Sequence, residues 1–356
     1  MILYSLLARV VLQRPAPANP RRVLLVLPCC IGDVIQATAT LQALRRAYPQ
    51  AHITWAVGSW SAQAITGHDM LDAVLDTGPQ ANPARTPGGL LRLARQLRAG
   101  CFDVAVSLVR SPLMGLALWL AGIPNRAGLD SAGRGFAYTV RVPHDPAARR
   151  HEAEIYLDVA RALGLDTTDC RANVPVREAD AQRVRERLAA LGISGPYVVL
   201  NPAGGSNPGM EMSVKRWPPA SFAALAARLA AELDVQPLLL AGPGDEPIVR
   251  AVQAHAERPL PELVGALTFG EIAALAREAQ LYVGNDTGLT HLAAAAGGRA
   301  VMIFGPSDPA RYAPFTPDSL ALWQPSPLVS GGGAAAFRGS PDAGQPPGEE
   351  SPAAQE

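Results

Sequence analysis

The seven residues Asp286-Thr287-Gly288-Leu289-Thr290-His291-Leu292 hold the densest chemistry in the chain. They follow the apolar run at 281–283 and lead into an alanine-rich stretch, so they read as a strand end turning into a helix. A first helical turn offers unpaired N–H groups and the positive end of the dipole, which suits a phosphate, and Gly288 leaves room for a ligand against the backbone. Asp286 and His291 add a carboxylate and an imidazole beside that position, so an anionic donor with hydroxyls fits better than a plain metabolite. Standing alone, Asp286 or Thr287 would read as a simple helix N-cap.

Other loops follow apolar runs in the same way. After residues 23–27 comes Pro28-Cys29-Cys30-Ile31-Gly32-Asp33, which lacks the Gly-x-Gly-x-x-Gly turn of a dinucleotide fold and so disfavours nicotinamide. Asp33 is either a general base facing a cleft or the N-cap of the next helix. The loop from Asn201-Pro202-Ala203-Gly204-Gly205-Ser206 to Lys215-Arg216-Trp217-Pro218 offers backbone and hydroxyl donors and a mobile cation, which suits a diphosphate. Lys215 would stabilise the charge that builds on a leaving diphosphate; otherwise it is a solvated lysine, with Trp217 packing the helix entry. In Ala241-Gly242-Pro243-Gly244-Asp245-Glu246, Glu246 can hold ribose hydroxyls or merely favour a helix dipole. Arg110, Arg126, Arg134 and Arg141 lie in a glycine-rich stretch without clear period, either a solvated surface or a binding rim. Their concentration in a neutral protein favours ligand contact.

The elements that must carry these loops alternate. Residues 23–27, 52–57, 73–75 and 102–108 read as strands, and 34–47, 89–97 and 151–163 as helices, with a polar linker at 166–180. The second half repeats this grammar, with strands at 197–200, 237–240, near 263, at 281–283 and, as the last, at 300–304. Its helices are expected at 220–233, 246–255 and 269–279, and from the Asp286 loop to 296. Such apolar runs suit parallel strands covered on both faces, the doubly wound α/β class. Ligands in such sheets sit beyond the carboxyl ends of the strands, which is where every loop above falls.

Composition narrows the function. A length of 356 residues accommodates two domains. Lys plus Arg equals Asp plus Glu, 31 each, so no global field draws nucleic acid, and no basic stripe with interleaved aromatics is present. Cys29, Cys30, Cys101 and Cys170 show neither zinc spacing nor a disulfide framework, which fits a reducing cytoplasm. The apolar run at 1–12 is far below the roughly 20 residues of a spanning helix. It lacks the charged start of a signal peptide, and reads as a packed arm or, less readily, as a helical face with Leu3, Leu6, Leu7 and Val10 resting on a bilayer. Residues 325–356 are Pro, Gly, Ser, Ala and Glu without apolar period, a disordered low-complexity tail.

Together the loops resemble glycosyltransferase family 9, the ADP-heptose:lipopolysaccharide heptosyltransferases. The match runs from about Arg22 to Trp323. It is carried by Gly32-Asp33-Val34, Leu44-Arg45-Arg46-Ala47-Tyr48-Pro49, Asn201-Pro202 with its glycines, Lys215-Arg216-Trp217-Pro218, Gly242 to Glu246, and Asp286 to Leu292. The resemblance implies a GT-B architecture, two facing Rossmann-like domains with parallel sheets. Residues 1–172 would bind the acceptor, with 1–20 as an arm, and 173–324 the nucleotide sugar. It implies an inverting transfer of heptose from an ADP-sugar to a glycolipid or surface glycan, without metal or cofactor, on the cytoplasmic side and in possible peripheral contact with the inner membrane.

By the same resemblance Asp33 is the base, with Gly32 beside it on the acceptor side together with Arg110 and Arg126. Gly205, Ser206 and Lys215 hold the diphosphate, Glu246 the ribose, and Asp286, Thr287, Gly288 and Leu289 the sugar and phosphates, supported by His291. Two departures stand out. Residues 207–212 lengthen the phosphate loop, and the tail replaces a C-terminal helix that usually packs back on the first domain, which is expected to weaken closure. A nucleotide-sugar epimerase and a catalytically silent sugar-nucleotide binder are the competing readings.

Overall fold

The structure is a computed structural model that describes residue 17 and residues 19–207 and 210–324. The expected disordered tail and residues 1–16 of the arm lie outside the described residues.

The first half contains β1 (Arg22–Val26), α1 (Ile31–Ala47), β2 (His52–Val57), α2 (Ser59–Ala62), β3 (Ala73–Asp76), α3 (Pro87–Ala99), β4 (Val104–Ser107), α4 (Pro112–Leu120), β5 (Asn125–Asp130), β6 (Val140–Pro143) and α5 (Glu152–Ala162). The second contains α6 (Glu178–Ala190), β7 (Tyr197–Asn201), a small hairpin of β8 (Ser206–Asn207) and β9 (Met210–Glu211), a 3₁₀ turn at Ser213–Lys215, α7 (Pro219–Leu233) and β10 (Gln236–Ala241). It continues with α8 (Glu246–Gln253), β11 (Glu262–Val264), α9 (Phe269–Glu278), β12 (Leu281–Asn285), α10 (Gly288–Ala295), β13 (Ala300–Phe304), α11 (Pro309–Tyr312) and β14 (Ser319–Trp323).

Each half forms one parallel sheet, ordered β3-β2-β1-β4-β5-β6 and β11-β10-β7-β12-β13-β14. Within its own half each follows the doubly wound order 3-2-1-4-5-6, so the chain reverses direction across the sheet between β1 and β4 and again between β7 and β12. The strands are aliphatic because both faces are covered: Leu24 and Val23 are both fully buried, yet point into different clusters. Burying each side chain of this size contributes about 1.5–3 kcal/mol.

The two halves share a buried seam. Ile35 of α1 belongs to the same apolar cluster as Leu292, Ala293 and Ala295 of α10. Alanines on α10 let the two helices approach closely, and this seam runs under the site described below.

Three expectations about elements need correction. The stretch read as a loop-rich rim contains α4, β5 and β6. The linker read at 166–180 ends earlier, because the helix α6 begins at Glu178, with Val184 and Leu188 buried against α9. Residues 300–304 are not the last strand, because β14 pairs with β13 in register Ala300↔Ser319.

Candidate active site

At the first switch point, Asp33 follows β1 and Arg110 follows β4. The helix after β1 starts earlier than its apolar period indicates: Cys30 is the N-cap of α1, and Asp33 is the third residue of the helix rather than its cap. One carboxylate oxygen turns back to accept from the Cys30 N–H at 3.4 Å, and the other accepts from the Tyr156 hydroxyl of α5 at 3.0 Å. Desolvation by burial, and after it the charge of Glu152, raise this carboxyl above the usual carboxylate range, against the lowering pull of Tyr156, the Cys30 amide and Arg110. Tyr156 is fully removed from water and beside a carboxylate, so its phenol is pushed well up and stays a donor. Cys29 and Cys30 are joined as a disulfide with Cα atoms 3.0 Å apart, a bridge that spacing rules for separated cysteines do not anticipate.

At the second switch point, the 201–205 loop follows β7 and Asp286 follows β12. Lys215 Nζ donates to Asp286 Oδ2 at 2.7 Å, with side-chain exposures of 15% and 6%. An ion pair this buried positions both charges where they are dry and strong. His291 lies on the first turn of α10, and burial pushes its imidazole down to about 4, so it is neutral at ordinary pH. Glu246 is exposed on the first turn of α8 and accepts from the Gly244 N–H at 3.3 Å. Gly205 is held by backbone pairing, its carbonyl accepting from Met212 N–H at 2.7 Å, and Ser206 begins the hairpin that follows.

The two loop systems touch. A Cβ placed on Gly32 would stand 2.9 Å from His291 Cδ2, and one on Gly288 would stand 2.5 Å from Ile31 Cγ2. The space that Gly288 leaves is therefore filled by Ile31, so its lack of a side chain serves approach between domains. Gly204 makes a similar contact with Thr287, since its Cβ would lie 1.9 Å from Thr287 Cγ2. Asp33 and Lys215 thus belong to loop systems that meet at the junction of the two halves, Gly32 beside Asp33 packing against His291 and Lys215 pairing with Asp286.

The organiser of the loops around Lys215 and Asp286 is a residue that the sequence did not single out. Asn285, fully buried at the end of β12, accepts from Trp217 N–H at 2.9 Å and donates to the carbonyls of Pro202 at 2.9 Å and Ala203 at 3.1 Å. It ties the loop at 202–205, the Lys215 segment and the Asp286 turn into one unit.

The arginines divide. Arg110 faces Asp33 and donates to Glu152 and, at 3.1 Å, to His144. Burial opposes its charge, but Tyr156, Glu152 and Asp33 outweigh that and keep it protonated. Arg126 is only 6% exposed, lies near the amino end of β5 and donates to the carbonyls of Ala137 at 2.8 Å and of Ile123. It braces the first domain away from the carboxyl ends of the strands, which corrects its expected place on an acceptor rim. Arg141 likewise donates to a carbonyl, that of Tyr138, at 3.2 Å.

Among the described residues no group of His, Cys, Asp and Glu side chains is arranged to hold a metal ion, and no helix is long and apolar enough to cross a membrane. A cavity of about 330 Å³ opens at the junction of the halves, where His68, Arg177 and Thr268 line it. None of Asp33, Lys215, Glu246 or Asp286 does.

Two parallel doubly wound sheets, one in each half, define the GT-B glycosyltransferase architecture. The model of the family described as glycosyltransferase family 9 (heptosyltransferase) matches residues 90–328, and the chain belongs to that family. It is 24% identical over 298 residues to lipopolysaccharide heptosyltransferase 3 of Escherichia coli, covering 82% of this chain and 86% of that one. In structure it is similar to a glycosyl transferase family 9 protein of Veillonella parvula, with TM-score 0.74, 24% identity and 86% of each chain covered. It is also similar to E. coli ADP-heptose lipopolysaccharide heptosyltransferase II, with TM-score 0.69, 22% identity, and 86% of this chain and 91% of that chain covered.

Proposed function

We propose that this protein transfers a heptose, with inversion and without a metal, from ADP-heptose to a hydroxyl of a lipid-linked glycan of the lipopolysaccharide-core type. What supports this reading is that the Asp33–Tyr156 pair of the first half and the Lys215–Asp286 pair of the second are brought together by Gly32 packing against His291, an arrangement we read as two opposed walls of one cleft. Inversion needs a base on the face opposite the leaving group, and opposed walls supply two faces.

In the reaction, Asp33 takes the proton of the acceptor hydroxyl as that oxygen bonds to the anomeric carbon of the heptose. The bond from that carbon to the diphosphate oxygen breaks, and ADP leaves with the electron pair. Lys215 and the amide groups at the start of α10 meet the charge that develops there. Glu246, at the mouth of α8, takes the ribose hydroxyls, and Gly205, Ser206, Thr287 and Leu289 line the phosphates. Residues up to 172 hold the acceptor, with Arg110 toward its anionic groups, and residues 173–324 hold the donor. The lipid-linked acceptor places the reaction at the cytoplasmic face of the inner membrane. Similarity to a lipopolysaccharide heptosyltransferase supports that acceptor class, and similarity to an ADP-heptose enzyme supports the donor.

Purified protein with ADP-heptose and a lipopolysaccharide-core acceptor should release ADP and add a heptose of anomeric configuration opposite to the donor's, at a rate unchanged by EDTA. A donor isomerised in the absence of acceptor would point instead to an epimerase. Thermal stabilisation by ADP-heptose with no turnover would identify a silent binder.

A further inference from the structure

Glu152, the first residue of α5, is a carboxylate only 2% exposed that the roles above leave unused. It is gripped from both domains. Oε2 accepts from Arg110 of its own domain, and Oε1 accepts from Arg311 on α11 of the opposite domain at 2.6 Å. One turn further along the same helix face, Tyr156 donates to Asp33. The cross-domain contact is broader than one pair: Arg149 donates to Asp308 at 2.8 Å, and His151 Nε2 donates to the Ala313 carbonyl at 2.8 Å while its Nδ1 accepts from Ala153 N–H at 3.2 Å. The start of α5 thus grips residues 308–313 of the second domain, and its next turn grips the aspartate.

We propose that Glu152 is a positioning residue for the transfer, a single buried carboxylate through which docking of Arg311 from the second domain sets the placement and charge environment of Asp33. This inference rests on Asp33 being the base. The exposed pair Arg149 and Asp308 adds little to the clasp, since their contact is solvated. The Glu152 contacts differ because a buried carboxylate tolerates neither the loss of a partner nor a change of position. With the domains apart, Arg311 leaves, Glu152 is held by Arg110 alone, and the full charge of Glu152 acts on Asp33. With the domains together that charge is shared between two guanidinium groups, which lets Asp33 ionise more readily in the closed cleft. The groups facing Asp33 are Tyr156 and Glu152 from α5, Arg110 from the loop after β4, the Cys30 amide, and Tyr312 from α11. The His291 ring packs against its neighbour Gly32.

The test uses Glu152→Gln, Arg311→Met, the double variant and Asp33→Asn in the full chain. The Asp33 carboxyl is titrated by carbon-13 NMR, with its signal identified by loss in Asp33→Asn. The inference expects its titration to move to lower pH in Glu152→Gln and to higher pH in Arg311→Met, and the acid limb of kcat/KM to move with it. It also expects each single variant to lose kcat by up to about 100-fold, as when a reacting group is misplaced by an ångström, and the double variant to lose no more than the worse single one. An unmoved titration in both single variants, or losses that multiply in the double, overturns the inference. The base assignment fails separately, if Asp33→Asn retains turnover. The NMR titration reads the clasp whether or not turnover is found.

Discussion

Gly288 and Ile31 interlock at the junction of the two domains: the absent Cβ of the glycine would lie 2.5 Å from Cγ2 and 2.7 Å from Cβ of the isoleucine. The Ile31 side chain of the first half therefore occupies the volume that a side chain at position 288 of the second half would need. Gly32 and His291 repeat the arrangement at 2.9 Å. The first turns of the two helices, Ile31–Ala47 and Gly288–Ala295, therefore pack directly on one another, so the placement of each depends on the other.

Gly288→Ala forces this contact apart. Overpacking of this kind costs about 1–3 kcal/mol, and here it also spreads the cleft. The variant should melt at lower temperature and lose turnover. Adding Ile31→Ala, which clears the space, should recover both in part. Calorimetry and steady-state rates on the two variants decide it, and a double variant as poor as Gly288→Ala counts against the interlock.

Asp33→Asn removes the base but keeps the shape, so kcat should fall by about 10²–10⁴-fold while ADP-heptose still binds. Because the folded protein raises the carboxyl of Asp33, it binds that proton more tightly than the unfolded chain does. The stability that this supplies is present at low pH and is lost as pH rises through the raised value. Asp33→Asn should therefore flatten that decline, and its melting temperature at neutral pH should not fall below that of the parent. A marked drop there would mean that the ionised carboxylate stabilises the fold.

Strands β1 to β4, β7 and β10 to β13 were legible because parallel strands covered on two faces are written as aliphatic runs, as residues 23–27 and 52–57 are, whereas β5 and β6 lie in a stretch broken by arginines and glycines. The helix α4 was not, since Pro112-Leu113-Met114-Gly115-Leu116-Ala117-Leu118-Trp119-Leu120 is apolar all round and has no period to read. The edge strand β14 alternates half-buried and exposed residues next to a proline- and serine-rich stretch, and the first turn of α6, with Glu178 and Asp180, is polar enough to pass for the end of the linker. At the site, residues that follow strands announced themselves by position and type. Tyr156 did not, because an aromatic at helical spacing reads as core. Glu152 and Arg311 are 159 residues apart, and a first-turn glutamate carries no sign of its distant partner. Arg126 misled for the opposite reason, since a guanidinium in a glycine-rich stretch looks free until its carbonyl partners are seen.

Lys215 and Asp286 form a pair whose structural and chemical roles can be separated. Lys215→Met leaves the Asp286 carboxylate buried without its cation, which costs about 3–5 kcal/mol for a pair of this kind. It should also lower kcat by about 10²–10³-fold, as loss of a group that meets transition-state charge does. Lys215→Met with Asp286→Asn should regain most of the stability and none of the rate. Recovery of turnover in the double variant would show that Lys215 serves only to neutralise its neighbour.

His291 gives the fold a signature in acid. Burial lowers its imidazole to about 4, against about 6.5 for the free side chain, so the unfolded chain binds the proton more tightly than the native protein does. Stability from the neutral ring is therefore fully present above about pH 6.5 and is lost as pH falls toward 4. The shift corresponds to roughly 3 kcal/mol across that window. His291→Gln should start from a lower melting temperature at about pH 7.5, because it gives up the packing of the ring on Gly32, yet show a shallower fall between pH 6.5 and 4. Melting curves at half-unit intervals measure both effects. If the two proteins decline in parallel, His291 is not the group that titrates there, and its ring is more open to water than its place between Gly32 and the Asp286 turn indicates.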